Sequence, residues 1–381
     1  MTSFESGPQV RVIASPSSWI EGEALRQLDM VSALPGMVSC VGMPDLHPGK
    51  GWPVGAAFLS RDIFYPHLVG NDIGCGMGLW ATDVPLTKGK PDRLAARMNG
   101  FDQPLDDDGE EQRTLLAERG LPDAFALSLG TPGRGNHFIE IQRIHQMLDA
   151  DAVKGLGFKP DRLVVLVHTG SRGLGEAVLR HHTERFGAGA LRDGSPEADD
   201  YLARHAHAVA YAELNREVCA HRTLAAMGGK GQRVLDLTHN LVSRIEAGWL
   251  HRKGAAPADA GPVVIPGSRG DLTYLVQPLD AGPSSLFSLA HGAGRKMARR
   301  EAKGKLQDRL RRDGLRRNPF GGQVVCGDER LLWEEAPECY KPVARVIQDL
   351  EDAGLVRVLA TLAPVVTFKT SMATTESRRG R

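Results

Sequence analysis

VSCVGMPDLHPGKGWPVGAAFLS (Val38–Ser60) and LVGNDIGCGMGLW (Leu68–Trp80) share one pattern: short apolar runs broken by glycine, proline and aspartate. Such runs read as strands that stop at tight turns, where side chains at the strand ends point into a site. The same style returns at RLVVLVH (Arg162–His168), a buried strand that runs into TGSRGLG (Thr169–Gly175), and in the strand-rich Leu355–Phe368. Helical stretches lie between and around them. These are Ser17–Leu34, opened by Ser17-Ser18 with apolar positions at Ile20, Leu25, Leu28, Met30 and Val31; the Ala-rich Tyr201–Met227; the very basic Gly294–Gly314; and Val343–Asp352. Asp102–Glu111 reads as an acidic surface loop and Gly254–Gly261 as a small-residue connection. No internal repeat is found, and candidate site residues are scattered from Asp72 to Lys369. The pattern predicts an α+β fold, a single intertwined domain over 1–370 with mixed β-sheets flanked by helices. Residues 371–381 read as a flexible tail.

The 381 residues are 41% hydrophobic, enough for a sizeable core and too many for a disordered chain. A formal charge of +1, from 47 Lys+Arg against 46 Asp+Glu, does not by itself point to nucleic acid. The composition is unusual in two residue types. There are 44 glycines, above the roughly 7% of average usage, and 13 histidines. Together they suggest backbone that approaches ligands and side chains that hold metals. Five widely spaced cysteines without a CxxC exclude a disulfide scaffold and a zinc ribbon, and a reducing, cytoplasmic setting is expected. Neither a signal peptide nor an 18-residue apolar span is legible, so no membrane role is expected.

Four histidines stand in turns: Gly135-Asn136-His137, His168-Thr169-Gly170, Thr238-His239-Asn240 and Ala290-His291-Gly292. One such histidine is usually structural. Four together with Asp72 and Cys75 of DIGCG supply the residue types that bind divalent transition metals, in a site that only the fold can assemble. TGSRGLG, IPGSRGD (Ile265–Asp271) and HGAGRK (His291–Lys296, read as opening a helix) are glycine-rich loops of the kind that present backbone N–H groups to phosphate. No P-loop and no Rossmann fingerprint is present: Gly42 to Gly49-Lys50 has the wrong spacing, and no GxGxxG has its acidic partner. From Arg295 to Arg317 there are eleven Lys/Arg and three Asp/Glu, a run suited to a phosphate-rich polymer. His67, His145, His181, His182, His205, His207, His221 and His251 read as structural or surface positions, mostly in polar or Ala-rich helical stretches; His47, in MPDLHPGKG, shares the strand-end style.

In order along the chain, MPDLHPGKGWPVG, VGNDIGCGMGL, GTPGRGNHFIEIQ, HTGSRGLG, THN, IPGSRGD, SLAHGAGR and EEAPECYK closely resemble the RtcB family of RNA-splicing ligases, from about Met43 to Lys369. The resemblance implies two Mn²⁺ ions on Asp72, Cys75, His137, His168 and His239 with Cys75 as the bridge, although ligand types alone suggest zinc. It implies His291 as the nucleophile that takes GMP from GTP. It further implies guanylate contacts from Asn136, Phe138, Glu140, His239, Asn240, Gly267, Ser268, His291, Gly292, Ala293, Gly294, Arg295, Tyr340 and Lys369, with Glu140 accepting the guanine N–H groups. The implied substrate is RNA with a 3′-phosphate or 2′,3′-cyclic phosphate at one end and a 5′-OH at the other. Archease or a release-factor-like protein is the implied partner. Thr169 replaces the usual serine, Leu289 the usual threonine and Gly74 the usual asparagine, and the chain is shorter than typical members. This compact form resembles a bacterial branch associated with RNA repair. A metal-dependent 2′,3′-cyclic phosphodiesterase, or a protein that binds RNA ends without joining them, is the alternative reading.

Overall fold

The structure is a computed structural model and describes residues 7–187, 189–279, 282–311 and 313–372. Its larger sheet runs in the order β13 (Val263–Pro266), β14 (Thr273–Pro278), β17 (Val356–Phe368), β6 (Phe138–Met147), β7 (Arg162–Thr169), β5 (Gly76–Pro85), β9 (Gly231–Thr238), and β16 (Gln323–Val325) pairs in parallel with β17. The smaller sheet has the order β1 (Gln9–Val12), β2 (Met37–His47), β3 (Val54–Ser60), β11 (Gly248–Lys253), β10 (Asn240–Ile245). Two ribbons complete the strands: β12 (Ala255–Pro257) with β15 (Ser288–Ala290), and β4 (Ile63–Phe64) with β8 (Leu191–Arg192). The helices are α1 (Gly22–Ser32), α2 (Pro66–Val69), α3 (Pro91–Met98), α4 (Glu110–Glu118), α5 (Ala150–Gly155), α6 (Gly173–Phe186), α7 (Pro196–Met227), α8 (Arg299–Leu306), α9 (Glu329–Glu334) and α10 (Val343–Asp352).

The alternation of each strand explains the layers. In β7, Val164 and Leu166 join the core shared with Val41, Ala57 and Leu250 of the smaller sheet, while Leu163, Val165 and Val167 face α3 and α7 on the other side. A strand covered on both faces must be apolar on both, as RLVVLV is. His168 continues the Val164–Leu166 face and so ends the strand on the side of the inter-sheet core. On the outer face of the smaller sheet, α1 packs Ala24, Leu28 and Val31 against Cys40 and Phe58.

Register carries the functional consequence. Phe138 pairs with His168, Gly76 pairs with Thr169 on one side and Thr238 on the other, and Phe368 pairs with Ile139. The ends of β17, β6, β7, β5 and β9 therefore align along one edge. Lys369, His137, His168, Cys75 and His239 lie at or just beyond those ends, in that order, on strands about 4.8 Å apart.

The structure corrects several expectations. α1 begins at Gly22 rather than Ser17, because the hydroxyls of Ser15, Ser17 and Ser18 are engaged by Arg345 of α10, and Ser18 also donates to Asp349. Leu25 and Met30 are exposed rather than core. The basic run is no continuous helix. An antiparallel bridge between Arg295 and Tyr340, followed by a hydrogen bond from Lys296 N to Cys339 O, keeps HGAGRK extended, so α8 starts only at Arg299. It stops at Leu306 because Gly304 and closely spaced like charges disfavour a longer helix. Gly254–Gly261 contains β12, whose Ala255 pairs with Ala290, so its small residues are packing requirements. His251 lies in β11, where its Nε2 accepts from Tyr65 N. Of the expected tail, Ser371 and Met372 are hydrogen-bonded to Asp102 and Asn99, and 373–381 lie outside the described residues.

Candidate active site

At the sheet edge, Cys75 Sγ lies 3.3 Å from His137 Nε2 and 3.2 Å from His168 Nε2, and His137 Nε2 lies 2.9 Å from Asp72 Oδ2. Two groups of donor atoms form here, Asp72–Cys75–His137 and Cys75–His168–His239, each with its ligand atoms within 4.8 Å of one another. Cys75 belongs to both. Among the described residues Nδ1 of both His137 and His168 is buried without a partner, so neither ring is committed to another hydrogen bond. A carboxylate, a cysteine sulfur and three imidazoles brought this close form a donor set that fits two cations sharing Cys75. Burial pushes His168 and His239 well below the usual histidine range, leaving neutral imidazoles. It pushes the Cys75 thiol well up, with Asp72 adding to the effect. For Asp72, burial acts upward but His137 outweighs it and holds the carboxyl below its usual range.

Local sequence explains the close approach. Gly74 has φ +79°, and a Cβ there would lie 2.7 Å from Ala212 of α7. Arg216, which belongs to no recognisable motif, comes from the same helix and is wholly buried against Asp236 at 2.5 Å. Its guanidinium donates to Gly74 O (2.8 Å), Thr169 O (3.1 Å) and Thr238 Oγ1 (3.2 Å). One side chain thus ties together the residues adjoining Cys75, His168 and His239.

His291 follows β15, with its ring 4.8 Å from that of His239. Its Nδ1 lies 2.7 Å from Oδ2 of Asp45, at angles outside those of an ideal hydrogen bond. Asp45 is wholly buried. It belongs to MPDLHPGKG, where the sequence drew attention to His47 instead; a carboxylate two residues from a histidine in a turn was the available signal. His47 lines the same pocket and is pushed down to about 4 by burial, so it is neutral, and its Nδ1 is 2.9 Å from Asp45 O.

A pocket of about 790 Å³, counting its open mouth, extends from His291, within the size range of small-ligand sites. Asn136, Phe138, Glu140, Gly267, Ser268, Gly292, Ala293, Gly294, Arg295, Tyr340 and Lys369 line it, eleven of the residues that the family resemblance named for guanylate. His239 and Asn240 do not. Asn240 instead donates to Asp72 O and accepts from Gly254 N, bracing the ligand loop. On the pocket wall, Glu140 sits between Thr367 and Gln142, and burial pushes it up to about 7. Glu335, which the sequence reading missed, gathers Arg295 (3.2 Å), Arg299 (3.4 Å) and Lys369 (3.6 Å) and accepts from the Tyr340 hydroxyl. Burial alone would raise its pKa, but these cations hold it at about 2. Three cations around one carboxylate leave the wall net positive.

The family model described as tRNA-splicing ligase RtcB matches residues 27–103 and 117–370. The chain is 47% identical over 371 residues to the RNA-splicing ligase RtcB2 of Escherichia coli, covering 95% of this chain and 96% of that protein. It is 29% identical to the RNA-splicing ligase RtcB of Mycobacterium tuberculosis, over 89% and 99% of the two chains. It is also 29% identical to the tRNA-splicing ligase RtcB of Archaeoglobus fulgidus, over 91% of each. On these matches the chain belongs to the RtcB family of RNA ligases.

Proposed function

We propose that the chain joins RNA ends in a GTP- and Mn²⁺-dependent reaction, with breaks bearing 2′,3′-cyclic phosphate or 3′-phosphate and 5′-OH termini as the substrate. The observation that carries this reading is His291: an imidazole beside a buried carboxylate, next to a donor cluster centred on Cys75, at the mouth of a positively lined pocket. The Nε2 lone pair of His291 attacks the α-phosphorus of GTP, forming a P–N bond as the bond to pyrophosphate breaks. Asp45 holds Nδ1 and stabilises charge on the ring. Glu140 accepts the guanine N–H groups, and Lys369 and Arg295 face the nucleotide. An oxygen of the RNA 3′-phosphate then attacks the guanylyl phosphorus and releases His291. Water opens a cyclic end beforehand. Finally the 5′-OH oxygen attacks the activated 3′-phosphate, and GMP leaves. Asp72, Cys75, His137, His168 and His239 would hold the two Mn²⁺ ions, which when bound neutralise charge on the reacting phosphates.

RNA repair is the proposed setting. The test is ligation of a nicked RNA with 2′,3′-cyclic phosphate and 5′-OH ends in the presence of GTP and Mn²⁺. A sealed product that requires both is expected. Opening of the cyclic phosphate with no sealed product, at any GTP concentration, would overturn the reading in favour of a phosphodiesterase.

A further inference from the structure

Lys341 is buried, yet no part of it lines the nucleotide pocket. Its Nζ donates to Pro44 O (3.0 Å) and Leu46 O (2.8 Å), the two carbonyls that flank Asp45. The carbonyl of Asp45 itself faces His47 Nδ1 at 2.9 Å, so all three successive carbonyls of this part of β2 are occupied. The backbone N–H of Lys341 donates to Gly294 O (3.0 Å), in the loop that follows His291. That loop is pressed against the same segment: Gly294 has φ +70°, and a Cβ on it would lie 2.2 Å from Asp45 O. Lys341 therefore touches both sides of the Asp45–His291 contact, the end of β2 through its ammonium and the histidine loop through its amide. Its charge also lies close enough to Asp45 to interact with it, against the burial that lowers the lysine pKa.

We infer that Lys341 is a positioning residue for the nucleophile, fixing the Asp45 carboxylate so that it holds Nδ1 of His291 and leaves Nε2 aimed into the pocket. This rests on the proposed reading of His291 as the residue that takes GMP. Among the described residues the Asp45 carboxylate has no hydrogen-bond partner of good geometry, so its placement depends on its backbone, which Lys341 grips on either side. Misplacement of a catalytic group by about 1 Å costs on the order of a hundredfold in rate.

The test is a double-mutant cycle on covalent labelling by GTP, with Lys341→Ala, Asp45→Asn and the pair together, all at saturating Mn²⁺. Lys341→Ala is expected to slow labelling about a hundredfold at saturating GTP. The GTP concentration for half-maximal rate should stay unchanged. Lys341→Arg, which keeps two donors, should recover much of the loss. In the Asp45→Asn background, Lys341→Ala should add little. Additive losses in the cycle, or a loss confined to half-saturation, would overturn the inference. If the wild-type chain takes no label, the functional reading fails separately. The positioning role is then read from histidine ¹⁵N NMR: an Nδ1–H tautomer of His291 in the wild type that Lys341→Ala removes supports it, and an unchanged tautomer contradicts it.

Discussion

Glu140 lies on the inner face of β6, two residues beyond Phe138, and its burial pushes it up to about 7. Guanine N–H groups need the carboxylate as acceptor. Affinity for a guanine nucleotide is therefore expected to be full above about pH 7 and to fall by about tenfold per unit well below it. Calorimetry with GDP across this range checks the prediction, and Glu140→Gln should flatten the profile and weaken the preference for GTP over ATP. Stability runs with the opposite sign. The group titrates at 4.5 when unfolded and about 7 when folded, so the folded state binds the extra proton between these values. Its contribution to stability is present below 4.5 and is lost as pH rises towards 7. At this scale much of the site was legible in advance. The residues that were legible carry their own chemistry in short motifs: His137, His168, His239 and His291 in turn-like stretches, and Cys75 in DIGCG. Asp45 and Glu335 were not, since a carboxylate becomes notable only when the fold removes it from water and sets a histidine or several cations beside it.

At the level of elements, the centre depends on strand register and on α7. The strands were legible because central strands of a sheet covered on both faces must be apolar throughout, as in RLVVLV. Their pairing order was not, because residues far apart in sequence must meet before the order exists. α7 read only as Ala-rich. The reason for its composition is now visible, since Ala208 and Ala212 let the helix approach Gly74 closely enough for Arg216 to reach Gly74, Thr169 and Thr238. Arg216→Lys keeps the charge opposite Asp236 but lacks the planar fork that makes these contacts together. It is expected to weaken Mn²⁺ binding by about ten- to a hundredfold, the usual loss when a group supporting metal ligands is removed. Electron paramagnetic resonance of free Mn²⁺ in a titration checks this independently of activity, and thermal unfolding of the metal-free variant separates it from loss of fold.

Across the whole molecule, a net charge of +1 conceals an uneven distribution. The basic run is divided by the fold. Arg295 and Arg299 turn onto Glu335 at the pocket wall, while Lys305 pairs with Glu301 and Arg317 approaches Asp92 on the surface. Reading it as one helix failed because pairing of Arg295 with Tyr340 is a tertiary contact that overrides local preference. No helix among the described residues is long and apolar enough to cross a membrane. Two sheets, five aligned strand ends and the His291 loop act together as one device, which places a metal-type cluster beside His291, the proposed nucleophile. The most direct measurement is incubation with GTP radiolabelled at the α-phosphate in the presence of Mn²⁺. The account predicts an acid-labile guanylyl label on the wild-type chain and none on His291→Ala. A wild-type chain without label, or a His291→Ala chain that still takes it, would contradict the account.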